Sequence, residues 1–244
     1  IIRDRRHHDI GITSAGKQLA THAQVILQQL TLAQQEIAWD QTNKIRFGLP
    51  PIIGNYFFPK IAPQLIAAGL MPQLHTVEAG SAALLNQIKQ GDLDFALLGA
   101  SGPLQEPDLT ISQIGTAPFV IITPESDPLA QKDKVRFAEL AMQKFVTLSE
   151  AVVHTRAFTW FQQQSAFIPN LVYQTGDVQL LKQMGAQNVG IGFLTNLAIN
   201  PDDHLAAVKL TDPKQPVFTI SIVRRKDRVL TPAMQHFNQI LAAN

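Results

Sequence analysis

The sequence contains no cysteine, which excludes disulfide bonds and cysteine-based zinc sites and is compatible with a reducing cytoplasm. Charged residues make up only 16% of the 244 residues and the net charge is +1, so no overall charge attracts the chain to nucleic acid or to a membrane surface. No apolar run approaches the roughly 18 residues that a membrane-spanning helix requires. With 45% hydrophobic residues the chain can still bury a sizeable core. These features predict a cytoplasmic globular protein.

Motifs of the common enzyme and cofactor-binding classes are also missing. Neither His-Glu-x-x-His nor Gly-x-Ser-x-Gly occurs. The glycines between Gly185 and Gly192 follow a predicted helix instead of opening one, which is the reverse of a dinucleotide-binding turn. His7, His8 and Asp9 are adjacent near the start of the chain, where such spacing rarely gives ligand geometry. We therefore expect no enzyme activity, no cofactor and no bound metal.

One long amphipathic helix is predicted from Thr13 to Asn43, with Thr13 or Ser14 supplying an N-cap oxygen. Its apolar residues recur at alternating steps of four and three, at Leu19, Ala23, Ile26, Leu30, Ala33 and Ile37. This seam is typical of a helix that pairs with another helix. Alternatively, the stripe packs on the core of its own domain. Because the seam is narrow and a complete globular domain follows it, we favour a dimerisation helix.

Strands and helices alternate after this helix, which predicts βαβ units and a parallel sheet. The predicted strands are 45–49, 73–78, 94–98, 119–123, 145–148, 171–174, 190–194 and 217–224; a single helix is predicted over 55–68 between the first two. The alternation is interpreted as two lobes, about 44–118 with 219–244 and about 119–218, joined by two crossing strands around a cleft. Asp92 and Asp94 flank the start of one strand, where we expect exposed structural carboxylates.

Ligands of such sheets bind beyond the carboxyl ends of the strands. The candidate effector-binding residues at these ends are Pro51, Ile52, Ile53, Ser81, Ser101, Ser149, Thr175 and Phe193. Ser81 begins a predicted helix, where free N–H groups and the helix dipole suit a carboxylate. Its hydroxyl either contacts the ligand or caps its own helix. His154 or Arg156 could neutralise a second carboxylate from the other lobe.

Several short motifs, in this order, resemble LysR-type transcriptional regulators. They are Arg3 followed by Ile12-Thr13-Ser14-Ala15-Gly16, then Gly91-Asp92-Leu93-Asp94-Phe95-Ala96, Asp127-Pro128-Leu129-Ala130 and Gly190-Ile191-Gly192-Phe193-Leu194. The resemblance implies a wing remnant (1–12), a linker or dimerisation helix (13–43) and a two-lobed effector domain similar to periplasmic binding proteins (44–244). A solute-binding protein of a transport system is the alternative, and the long helix and the lack of a signal peptide argue against it.

The same resemblance implies a function and partners. The chain would be the effector-sensing and oligomerising part of a homodimeric or homotetrameric regulator whose winged helix-turn-helix precedes it and reads promoter DNA. Arg3, Arg5 and Arg6 would contact DNA phosphates, and the Ser81 hydroxyl would contact the effector. The runs 45–56 and 78–85 are most similar to regulators of malolactic fermentation. That similarity implies a small carboxylate effector, malate.

Overall fold

The computed structural model of the chain describes residues 2–3, 10–149 and 152–243. It divides into two compact units, Ile1–Lys44 and Ile45–Asn244. Among the described residues, no helix is both long enough and apolar enough to cross a bilayer.

The first unit contains a short antiparallel strand pair and one long helix. Strands β1 (Ile2–Arg3) and β2 (Ile10–Gly11) precede helix α1 (Ser14–Asp40). The Thr13 hydroxyl caps this helix by accepting the Gly16 N–H at 3.0 Å, as predicted. Along the predicted seam the large side chains are exposed: Leu19 70%, Ile26 67%, Leu30 54% and Ile37 65%. Arg5, Arg6 and the His7–Asp9 run lie outside the described residues.

The second unit is a continuous sheet of ten strands with helices packed around it. Its strands are β3 (Ile45–Leu49), β4 (Leu74–Glu78), β5 (Phe95–Ala100), β6 (Leu109–Pro124), β7 (Lys134–Val135), β8 (Lys144–Leu148), β9 (Asn170–Thr175), β10 (Ile191–Thr195), β11 (Leu205–Leu210) and β12 (Val217–Arg225). Its helices are α2 (Pro51–Tyr56), α3 (Phe58–Ala67), α4 (Ser81–Gln90), α5 (Val152–Ser165), α6 (Val178–Ala186) and α7 (Pro232–Ala242). The strand order is β4-β3-β5-β12-β6-β10-β8-β9, and β11 pairs with β6 and β7. The predicted α/β class is confirmed.

Strand β6 belongs to both lobes. Its first part, from Leu109 to Pro118, pairs with β12 in lobe I, next to the parallel strands β3, β4 and β5. From Phe119 onward it pairs with β10 in lobe II, which contains the parallel strands β8, β9 and β10. The β6–β12 register shifts so that Ile114 is an extra residue, a β-bulge in lobe I. One uninterrupted strand therefore joins the two lobes.

Two helices replace the single helix predicted over 55–68. Pro51 opens α2, and Pro59 lies in the first turn of α3, with Phe57 between the two helices. Proline is tolerated in a first turn because the N–H groups there have no partner within the helix. The prolines therefore start a helix twice, whereas the apolar spacing alone suggested a single element.

Phenylalanine rings fill much of the core on the face opposite α4 and α6. Phe47 and Phe237 meet edge to face at 5.0 Å between ring centres in lobe I. In lobe II, Phe137 stacks on Phe161 at 5.3 Å. These rings belong to one continuous cluster of buried side chains, which holds α3, α5 and α7 against the sheet.

The expectation that Asp92 and Asp94 are both exposed is wrong for Asp94. Asp94 is only 1% exposed, whereas Asp92 is exposed. Asp94 Oδ1 accepts hydrogen bonds from Arg46 Nη2 at 2.8 Å and from Arg228 Nε at 3.0 Å. Burial raises the pKa of Asp94, but the hydrogen bonds from Arg46 and the charge of both arginines outweigh this and hold the pKa below its ordinary value. This ion cluster lies at the amino ends of β3 and β5, away from the carboxyl ends where a ligand would bind.

Candidate functional site

The candidate site is the cleft between the lobes, beyond the carboxyl ends of the parallel strands. Pro51, Ile52 and Ile53 follow β3, Ser81 follows β4, Ser101 follows β5, Ser149 follows β8, Thr175 ends β9 and Phe193 lies within β10. Since parallel strands place their carboxyl ends at one edge, the fold brings segments 51–53, 81 and 101 together in lobe I. It brings 149 and 175 together in lobe II, where the Ser149 N–H donates to the Thr175 carbonyl at 2.9 Å.

Ser81 occupies the first turn of α4, but it does not cap the helix. The N-cap residue is Gly80, and no side chain makes a capping bond there, so the capping interpretation was wrong. Instead, Ser81 Oγ accepts the N–H of Gly99 on β5 at 3.0 Å. A hydroxyl that accepts one bond still has its hydrogen to donate. This hydroxyl and the N–H groups of the first turn of α4, which have no acceptor within the helix, are hydrogen-bond donors of the kind that bind an anionic oxygen.

Gly99, Phe218 and His154 are buried side by side between the strands of lobe I and helix α5 of lobe II, and we call these three residues the cleft floor. A Cβ atom at Gly99 would lie 2.5 Å from Phe218 Cζ, so only glycine fits beside this ring. The Phe218 ring in turn lies 5.7 Å from the His154 ring, centre to centre. The cleft floor therefore links Ser81 in lobe I, through Gly99, to α5 in lobe II.

His154 is a neutral hydrogen-bonding group. Its Nε2 accepts the backbone N–H of Thr195 at 3.2 Å, and the side chain is 3% exposed. Burial lowers the pKa of His154 from 6.5 to about 4. Because a neutral imidazole that accepts at Nε2 carries its proton on Nδ1, His154 offers a donor but no charge at pH 7. His154 therefore brings no positive charge to the site at pH 7, and Arg156 of α5, the other residue suggested to neutralise a second carboxylate, is exposed.

The remaining candidate residues differ in how much of the side chain is available. Ile53 and Phe193 are 0% and 1% exposed within the core, so only their backbone atoms can face a ligand. Thr175 is 8% exposed, and its hydroxyl oxygen accepts the Asp177 N–H at 3.0 Å. Pro51 and Ser149 are exposed, Ser101 is half-buried, and Ile52 is 8% exposed.

Thr219 is a supporting residue that the sequence did not reveal. Its hydroxyl donates to the carbonyl oxygens of Ala100 at 3.3 Å and Gly102 at 3.0 Å, on either side of Ser101. The alternation of β12 indicated a strand there, but no local signal could show which loop the hydroxyl contacts. Across the described ranges, no three His, Asp or Glu side chains are close enough together to hold a metal ion.

Comparison with known proteins decides the family. Residues 40–244 match the family model described as the LysR substrate binding domain. The chain belongs to the LysR family. It is 26% identical over 240 residues to the malolactic fermentation system transcriptional activator of Lactococcus lactis, covering 98% of this chain and 81% of that relative.

Solved LysR effector domains have the same fold. The effector binding domain of QuiR in complex with shikimate superposes with a TM-score of 0.69 at 15% identity, covering 82% of this chain and 95% of that domain. The regulatory domain of Synechocystis CcmR in complex with 2-PG gives 0.69 at 17% identity, covering 82% and 96%. The predicted two-lobed effector-domain fold is thereby confirmed.

Membership in the LysR family settles the class of function. LysR proteins are transcriptional regulators that bind DNA and small-molecule effectors, and they are not enzymes. The prediction of a LysR-type regulator with an effector-binding domain is confirmed. The alternative of a transport solute-binding protein is not favoured, because the matching relatives are regulators.

Proposed function

We propose that this LysR chain senses a small carboxylate in its cleft, with malate as the first candidate. The observation that carries the proposal is the first turn of α4. There the Ser81 hydroxyl, positioned by the Gly99 N–H at 3.0 Å, lies beside N–H groups that have no partner within the helix. A helix amino terminus attracts negative charge, so a carboxylate is the matching ligand group.

The remaining contacts are proposed to come from both lobes. Ser101 and the backbone of 51–53 supply further donors and acceptors from lobe I, and Ser149 and Thr175 supply them from lobe II. His154 donates from Nδ1 without adding charge, which suits a hydroxyl or a carbonyl oxygen better than a second carboxylate. The similar Lactococcus protein is a malolactic fermentation activator, and the similar QuiR domain holds shikimate, itself a carboxylic acid.

A thermal-shift comparison tests this proposal. L-malate, D-malate, succinate and shikimate are added to the full chain, and a ligand present at about 100 times its dissociation constant should raise the unfolding free energy by about 2.7 kcal/mol. Ser81→Ala should weaken binding of the stabilising acid about tenfold to a hundredfold, because it removes a hydrogen bond to a charged group. Ser112→Ala, on the exposed side of β6, is the matched control.

Two results would overturn the proposal. If none of the four acids shifts the melting temperature at millimolar concentration, the ligand is not a small carboxylate of this kind. If one of them binds equally well to Ser81→Ala and to the parent chain, the first turn of α4 is not the carboxylate site.

Oligomerisation and DNA binding of the intact regulator belong to the same proposal. The exposed side chains of Leu19, Ile26, Leu30 and Ile37 on α1 support pairing with the same helix of a second copy. Family resemblance adds an interface between effector domains, which would give a homodimer or a homotetramer. Effector-dependent movement of the lobes would then be passed through α1 to a DNA-binding dimer whose Arg3, Arg5 and Arg6 contact phosphates.

A further inference from the structure

Helix α2 of lobe I is inserted against lobe II. It follows β3 directly, yet Ile52 is buried in the same cluster as Val120, Leu148 and Leu194 of lobe II. The next turn of α2 carries Tyr56, which is half-buried and packs against this cluster. The two lobes are therefore in contact along α2, on the side of the cleft formed by α6.

The hydroxyl of Tyr56 receives two hydrogen bonds from α6. Lys182 Nζ donates to it at 2.8 Å, and Gln179 Nε2 donates at 3.0 Å. The Lys182 side chain is only 3% exposed, so the stronger of these bonds is shielded from water. Hydrogen bonds with an ionised donor are shorter and stronger than neutral ones, and burial strengthens them further.

Lys182 remains paired within lobe II whether or not Tyr56 is present. Its ammonium group donates to the two carboxylate oxygens of Asp203 at 2.9 and 2.8 Å and to the Ala198 carbonyl at 3.1 Å. Burial alone would lower the pKa of Lys182, but the hydrogen bonds to Asp203 and Tyr56 raise it above its ordinary value. The ammonium is therefore charged at neutral pH, and of the hydrogen bonds that Lys182 makes, separation of α2 from lobe II breaks only the one to Tyr56.

We infer that Tyr56 and Lys182 form an interlobe latch that holds α2 against lobe II before any effector binds. The latch biases the effector-free domain towards the arrangement in which α2 contacts lobe II, which we call the closed arrangement of the lobes. An effector that requires this arrangement binds with an apparent affinity proportional to the fraction of closed molecules. The expected effect on effector affinity rests on the proposed function. The expected closure of the domain without effector does not.

Distance measurements between the lobes test the latch without any ligand. Because the chain has no cysteine, Lys60→Cys on α3 and Gln187→Cys at the end of α6 provide two unique sites for spin labels. Tyr56→Phe in this background removes one hydroxyl and leaves the Lys182–Asp203 pair intact. We expect it to add a population at longer distances, with the ratio of open to closed molecules raised about tenfold.

The control is Tyr173→Phe, which removes a hydroxyl from the other tyrosine of the chain, an exposed residue of β9. It should leave the distance distribution of the parent unchanged, and thermal unfolding confirms that each variant is folded. Identical distributions in Tyr56→Phe, Tyr173→Phe and the parent would overturn the latch. Failure of all four acids in the thermal-shift comparison would overturn the proposed ligand class and leave the latch untouched.

Discussion

The buried imidazole of His154 makes the stability of this chain depend on pH in a calculable way. In the unfolded chain the imidazole takes up a proton as the pH falls through 6.5, whereas in the folded chain it does so only near pH 4. Its contribution to stability is therefore fully present above pH 6.5 and is lost as the pH falls towards 4. The gap of about 2.5 pH units, at about 1.36 kcal/mol each, limits the total loss to about 3.4 kcal/mol. Between pH 7 and pH 5 the loss is about 2 kcal/mol.

Urea unfolding of the full chain at pH 7 and pH 5 measures this loss. His154→Gln replaces the titrating group with an amide, whose oxygen can still accept the Thr195 N–H. The drop in unfolding free energy on going from pH 7 to pH 5 should be smaller in this variant by about 2 kcal/mol. His236→Gln, at an exposed position of α7, should keep the full drop of the parent. If the drop were the same in His154→Gln and in the parent, the folded chain would carry a protonated or solvated His154 and our account of the cleft floor would fail.

Three further substitutions test other parts of the structure. Asp94→Asn leaves buried guanidinium groups facing a neutral amide and should cost about 3–5 kcal/mol of stability in urea unfolding; a cost below about 1 kcal/mol would show that the cluster is not held by charge. Gly99→Ala should lower the unfolding free energy by about 1–3 kcal/mol, because the new Cβ overlaps Phe218, and an unchanged value would mean that the ring moves freely. The double change Ile26→Asp, Leu30→Asp should break helix pairing, so that light scattering shows a tetramer reduced to a dimer or a dimer reduced to monomers; an unchanged mass would exclude the α1 seam as an interface.

The sequence predicted the elements whose signals are local. The heptad seam and Thr13 indicated α1. The order of strands and helices placed 51–53, 81 and 101 at the carboxyl ends of the lobe I strands, and 149 and 175 at the carboxyl ends of the lobe II strands, because these positions follow from topology alone.

The sequence could not reveal features that depend on distant partners. Asp94 can be buried because the guanidinium groups of Arg46 and Arg228 pair with its carboxylate. These partners lie 48 and 134 residues away in the sequence, so no local pattern could reveal them. The sequence left open whether the Ser81 hydroxyl caps its helix or contacts a ligand, and it could not reveal the bond from Gly99, which lies on another element 18 residues away. Residues 109–118 of β6 contain no apolar run, and they form a strand because β12 pairs with them.

The change of partner along β6 has a mechanical consequence. Between Pro118 and Phe119 the strand leaves β12 for β10 without leaving the β conformation, and at about 3.3 Å per residue its 16 residues span about 50 Å. Rotation of one lobe against the other must therefore twist a continuous strand, instead of rearranging a loop. Such a strand resists twisting, and the bulge at Ile114 is a point where its pairing with β12 is locally disrupted. We therefore expect the strand to give the two lobes a preferred relative angle.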